Sequence, residues 1–222
     1  MSAHEARTPF HFLGCWELAE LLGRKAWDER ELLEHLEEVP PESIYFHTHS
    51  VFLRERAPAP YPNDFATWAA IQVRDRVLGE KLGILDPEDF SDLEAIRTEL
   101  VSLIDEHLSE VRAVPRVMFG QPFHFMQSRV IEIPTGVKVR TLAEFRDAVA
   151  EADVAVLYLH VVEARGRKGR RRNDFATWLG DHLGLPDLGA AVARLTASPL
   201  GLEALRHRLL GLCDGALRSG EA

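Results

Sequence analysis

One hexapeptide, Asn-Asp-Phe-Ala-Thr-Trp, occurs twice in the chain, at 63–68 and again at 173–178. Internal similarity of this kind constrains the fold more than any other feature, because neighbouring copies of one unit are expected to pack alike. The surroundings repeat too. Phe10-His11-Phe12 returns as Phe123-His124-Phe125, an offset of 123 − 10 = 113, with Pro9 answered by Pro122. Gly23 and Lys25 correspond to Gly136 and Lys138 at the same spacing.

The offset carries Asp28, in Asp-Glu-Arg-Glu, onto Thr141, in Thr-Leu-Ala-Glu. Both read as capping boxes, in which the Asp28 or Thr141 oxygen accepts from a free backbone N–H while Glu31 or Glu144 reaches back. The helices that follow carry Leu32, Leu33, Leu36 and Val39, or Phe145, Ala148, Val149 and Ala152, at helical spacing. His47 then matches His160, and His49 stands where the second half has Val162. The hexapeptide is offset by 173 − 63 = 110, so the loop before it loses three residues. Leu93-Glu94-Ala95-Ile96-Arg97 is answered by Leu202-Glu203-Ala204-Leu205-Arg206, opening long amphipathic helices.

These correspondences predict a mainly α fold of two tandem homologous helical modules, 1–112 and 113–222, in a pseudo-two-fold arrangement. A short β-hairpin is predicted at the start of each, from Val130-Ile131-Glu132-Ile133, the turn Pro134-Thr135-Gly136, and Val137-Lys138-Val139. The first-half counterpart, Leu18 to Ala26, has helical propensity, so the two segments conflict. Val154 to Glu163 favours strand by composition, but its counterpart opens with Pro40-Pro41-Glu42-Ser43, a helix start, and both are read as helices. In the first half the hexapeptide helix is read as one long element, Thr67 to Leu82. Between the modules, Ser109 to Gln121 is a connector anchored by Val117, Met118 and Phe119.

Composition narrows the partners. With 46% hydrophobic and 27% charged residues the chain can bury a core, and its net charge of -9 speaks against general affinity for nucleic acid. Cys15 and Cys213 are read as reduced thiols. The polar start, Met1 to Thr8, lacks the apolar core of an export signal, and no window approaches the roughly 18 apolar residues of a membrane span. A cytoplasmic protein without membrane contact is predicted.

Within the hexapeptide, Asn63 and Asn173 are helix caps, and Phe65 with Trp68 and Phe175 with Trp178 share a core-facing side. The chemical candidates are His47 with Asp64 and His160 with Asp174, each an oriented imidazole able to serve as a base or ligand. No His-x-x-x-His, Glu-x-x-His or Cys-x-x-Cys spacing completes a metal set, and glycine-rich phosphate loops and nucleophile elbows are missing, so no metal or cofactor is predicted. Phe10-His11-Phe12 and Phe123-His124-Phe125 are expected to place aromatics in the core around a hydrogen-bonded or half-exposed histidine. His35, His107, His182 and His207 occur in one half only, on helices where a polar face is expected, and receive no role. Arg165, Arg167, Lys168, Arg170, Arg171 and Arg172 crowd the loop before the second hexapeptide and form a candidate anion site beside a helix N-terminus.

The combination of Phe-His-Phe, a turn glycine, a capped helix, Tyr-x-His and Asn-Asp-Phe-Ala-Thr-Trp resembles a prokaryotic family known only as a domain of unknown function. The resemblance spans nearly the whole chain, twice, and implies a helical module without an established activity; an accessory role in carbohydrate metabolism is a further implication. Duplication without a convergent catalytic set points to a non-catalytic binding or scaffolding module for a protein partner or a phosphate-bearing, anionic ligand. The alternative is an enzyme or metal-binding protein that uses the His/Asp pairs.

Overall fold

The computed structural model describes residues 5–49, 61–166, 172–197 and 201–220. In chain order these form β1 (Phe10–Ala26), α1 (Glu29–Glu38), α2 (Pro41–Thr48), α3 (Asp64–Trp68), α4 (Arg76–Gly83) and α5 (Leu93–Glu110). Then come β2 (Phe123–Val139), α6 (Leu142–Glu151), α7 (Val154–Leu157), α8 (Ala164–Gly166), α9 (Asp174–Thr177), α10 (Pro186–Ala193) and α11 (Gly201–Ser219). The two strands pair with each other in one antiparallel sheet.

The expected mainly α fold of tandem modules is thereby corrected to a mixed α/β fold. No hairpin forms at Pro134-Thr135-Gly136, because β2 runs straight through it to Val139. An isolated short hairpin is marginal in water, whereas β2 pairs with a strand, β1, of the same 17-residue length. Pairing also overrides the helical propensity of Leu18 to Ala26, which is strand. Gly23 and Gly136 sit inside the strands at φ of 73° and 81°, a left-handed conformation that a side chain would strain, yet neither strand reverses there.

The chain divides into two compact units that do not follow its order. Unit one holds Met1–Trp16 and Val130–Ala222, and unit two holds Glu17–Arg129. Within unit one the Thr135 hydroxyl donates to the Phe12 carbonyl at 2.6 Å. Within unit two the Gln127 amide donates to Glu20 at 3.0 Å. Each unit thus combines part of a strand from one half of the chain with the helices of the other half.

The core of unit two gathers Leu32, Leu36, Ile44, Phe65, Leu78 and Leu100 against Phe123 and Phe125. Unit one buries Phe10, Phe12, Phe145, Phe175 and Leu205. Each fully buried side chain of this size contributes roughly 2–3 kcal/mol. Local signals set the helix starts. Asp28 accepts from the Glu31 N–H at 2.9 Å. Thr141 and Glu144 complete a reciprocal capping box.

Two helix readings change. The long helix expected from Thr67 to Leu82 is broken: after α3 comes a π-helical turn, Ala69–Val73, then Arg74 at φ 68°, and Asp75 caps a new helix, α4. Val154 to Glu163 is helical, but it passes from α-helix into a π-helix, Tyr158–Glu163. Of the connector residues, Val117 is buried whereas Met118 and Phe119 are exposed. Among the described residues, no helix is long and apolar enough to cross a membrane.

Candidate functional site

In each unit the hexapeptide is a junction at which every residue has a partner. Asn63 and Asn173 accept the N–H of Ala66 and Ala176 at 2.8 Å, capping α3 and α9. Their amide nitrogens donate to the carbonyls of Leu82 at 2.9 Å and Val192 at 3.1 Å, tying each cap to the next helix. Thr67 and Thr177 bond back to the carbonyls of Asn63 and Asn173. Phe65, Ala66, Phe175 and Ala176 are fully buried. The Trp68 indole donates to the Gln121 carbonyl at 3.1 Å, and the Trp178 indole to that of Thr8 at 2.9 Å.

Asp64 and Asp174 hold the histidines. His47 Nδ1 lies 2.9 Å from Asp64 Oδ2, and His160 Nδ1 lies 3.1 Å from Asp174 Oδ2. The opposite nitrogens accept backbone N–H groups from the strands, His47 from Met126 and His160 from Leu13, both at 3.0 Å. A ring nitrogen that accepts carries no proton, so the Nδ1 proton is the one donated to the aspartate. Both nitrogens of both rings are therefore engaged inside the protein, and neither imidazole presents a lone pair to a ligand.

Aromatic rings enclose each histidine. Phe10 is 4.9 Å from His160 and 5.4 Å from Phe175, edge-on or tilted. Phe123 is 4.6 Å from His47 and 5.1 Å from Phe65. His11 and His124, between these phenylalanines, point outward and are exposed. The arrangement is a lock: a histidine and its aspartate grip the strand backbone, and the strand drives two phenylalanines into the helical core.

Of the basic loop, Arg167, Lys168, Arg170 and Arg171 lie outside the described residues. Arg165 donates to the Leu195 carbonyl at 3.2 Å, and Arg172 pairs with Asp181 at 3.2 Å. Cys15 and Cys213 are both buried, and burial pushes the Cys213 thiol up to about 12.

A different polar cluster lies in unit two. Glu29 at the start of α1, Asp75 before α4 and His107 on α5 bring their carboxylate and imidazole atoms within 4.8 Å of one another. His107 Nε2 is 2.9 Å from Asp75 Oδ2 and 3.6 Å from Glu29 Oε2. Burial, with the neighbouring Asp75 and Asp28 charges, pushes the Glu29 carboxyl up to about 8. The sequence reading placed His107 on a polar face, yet it is buried. The three residues are dozens of positions apart, so no spacing marks them; the one legible signal is a histidine on the apolar stripe of α5.

The chain is a member of DUF5752, a family of unknown function, over residues 7–214. It is similar to a solved protein, OrfY from Thermoproteus tenax, at 30% identity over 96% of this chain and 97% of that one, with a TM-score of 0.78. No curated protein matches the chain.

Proposed function

We propose that this protein is a non-catalytic binding module that recruits a protein partner through an acidic groove of unit two. One observation carries the reading: a groove of about 420 Å³ between the end of α4 and α5, with Asp89, Glu99 and Glu106 around Ile84, Phe90 and Leu103. Glu99 and Glu106 are exposed and lie two turns apart along α5. Acidic rims steer a basic partner, and an apolar floor supplies contact area.

Charge distribution supports the same reading. Residues 17–129 contain 22 Asp and Glu against 12 Lys and Arg, 12 − 22 = -10, while the remainder carries 14 − 13 = +1, which together make the net -9. The partner this surface fits is a protein segment with Lys or Arg flanking an apolar side chain. The Tyr-x-His and Asn-Asp-Phe-x-x-Trp elements are, in this reading, the structural signature of the family and occur here twice as strand locks.

The test is affinity capture from the native cell with the full chain as bait, read by quantitative mass spectrometry, beside a Glu99→Lys/Glu106→Lys bait of equal melting temperature. Proteins with a basic segment should be captured by the natural chain and lost from the charge-reversed one as salt is raised. Equal capture by both baits overturns the reading.

A further inference from the structure

We infer that Glu29, Asp75 and His107 of unit two form a binding site for one divalent first-row transition-metal cation. Their donor atoms lie within 4.8 Å of one another, with His107 Nε2 already 2.9 Å from Asp75 Oδ2 and 3.6 Å from Glu29 Oε2. Metal–oxygen and metal–nitrogen bonds of about 2.0–2.2 Å put ligand atoms roughly 3–3.6 Å apart, so small side-chain adjustments close the set around an ion.

A second observation points to a ligand independently of the clustering. Glu29 has no exposed surface, and neither of its carboxylate oxygens has a hydrogen-bond partner. Nδ1 of the buried His107 likewise has none. A buried polar group without a partner is costly, and native structures keep very few of them. The Glu29 side chain is aimed at the imidazole and at Asp75, the place where a cation would satisfy it.

The fold does not require these groups. Glu29 and Leu142 each follow a helix cap, Asp75 and Leu185 each precede α4 and α10, and His107 and Ala216 each lie 14 residues beyond Leu93 and Leu202, since 107 − 93 = 216 − 202 = 14. In unit one all three corresponding positions, Leu142, Leu185 and Ala216, are apolar and buried. The same helix packing is thus achieved without charge, and the polar trio stands in unit two as a complete set.

The chemistry selects the ion. Two carboxylates balance one divalent charge, so the occupied site is neutral, as a buried site needs to be. An imidazole beside two carboxylates suits Zn²⁺, Mn²⁺, Fe²⁺ or Co²⁺; Ca²⁺ takes oxygen ligands, and no thiolate is present for Cu⁺. Asp75 uses Oδ1 to accept the Leu78 N–H at 3.0 Å, which aims Oδ2 at the cluster. Its side chain is 15% exposed, which leaves the ion a way in and room for a water as a further ligand.

The experiment uses the full chain stripped with a chelator, then titrated with Zn²⁺ and with Co²⁺, read by calorimetry, thermal unfolding and the visible spectrum of Co²⁺. The expected result is one equivalent bound, a melting temperature raised by several degrees, and ligand-field bands of low-symmetry Co²⁺ that Zn²⁺ removes. Glu29→Leu/His107→Ala copies two of the apolar residues of unit one, keeps the Asp75 cap, and should fold while losing all three responses. Absence of binding in the natural chain overturns the site, as does an equal response from the double variant, which would put the metal elsewhere. A response to Ca²⁺ or Mg²⁺ equal to that for Zn²⁺ overturns the assignment of the ion class.

Discussion

The Leu13 backbone N–H donates to Nε2 of His160 at 3.0 Å, joining residues 147 positions apart. The bond fastens β1 to the helices of unit one, and in unit two Met126 and His47 make its counterpart. His160→Ala leaves that N–H and Asp174 without their partner and opens a hole among Phe10, Phe12 and Phe175. The expected loss is about 3 kcal/mol, read from the urea unfolding midpoint. A loss below about 1 kcal/mol would mean that the strand is held by its phenylalanines alone.

Asn173 serves both as a cap and as a bridge to the Val192 carbonyl. Asn173→Ala removes both bonds and should cost about 2–3 kcal/mol, while Asn173→Ser, which can still cap, should cost about half as much. Equal losses in the two variants would show that the bridge to α10 dominates. Asn63 should follow the same order in unit two.

Two glycines predict opposite outcomes. A Cβ on Gly189 would stand 2.8 Å from the Ala176 carbonyl oxygen and 2.9 Å from the Gly180 backbone, neither of which can yield easily. Gly189→Ala should therefore destabilise by about 2 kcal/mol through backbone displacement. Gly211 lies in α11 with nothing within 4 Å of its would-be Cβ, and Gly211→Ala should raise stability by up to about 1 kcal/mol. Differential scanning calorimetry of the two variants beside the natural chain decides both; shifts of the same sign would refute the packing argument.

His49 is buried, its ring stacked on Tyr45 at 4.5 Å, and burial lowers its pKa to about 4 from the usual 6.5. The unfolded chain therefore takes up a proton that the folded chain refuses as pH falls from 6.5 to 4. Stability supplied by the neutral ring is complete above pH 6.5 and declines through that window by up to about 1.4 kcal/mol per pH unit. His49→Val, matching Val162 of unit one, should flatten this part of the stability curve relative to the natural chain. Parallel curves for the two proteins from pH 7 to pH 4 would rule the effect out.

How far the sequence reaches depends on the range of the interaction. The caps Asp28, Thr141, Asn63 and Asn173 were legible because a cap and the N–H that it accepts lie three residues apart. Facing of Phe65 with Trp68 and Phe175 with Trp178 followed from helical spacing. The pairing of His47 with Asp64 needed only the expectation that the histidine preceding the hexapeptide meets its aspartate.

Other features were settled by partners far along the chain. Leu18 to Ala26 is helical by local preference and became strand because β1 pairs with β2. Phe10 could not be assigned to its helices from sequence, because both halves carry the same aromatic pocket and both pockets accept a Phe-x-Phe strand. His107 looked like a surface residue until α1 and α4 closed over it beside Glu29 and Asp75. The sequence alone determined where α1, α3, α6 and α9 begin and which hexapeptide residues face the core, since both are properties of a few neighbouring residues. Only the tertiary structure decided which strand fills which pocket and where buried charge collects, because those outcomes depend on contacts between residues that have no local preference for one another.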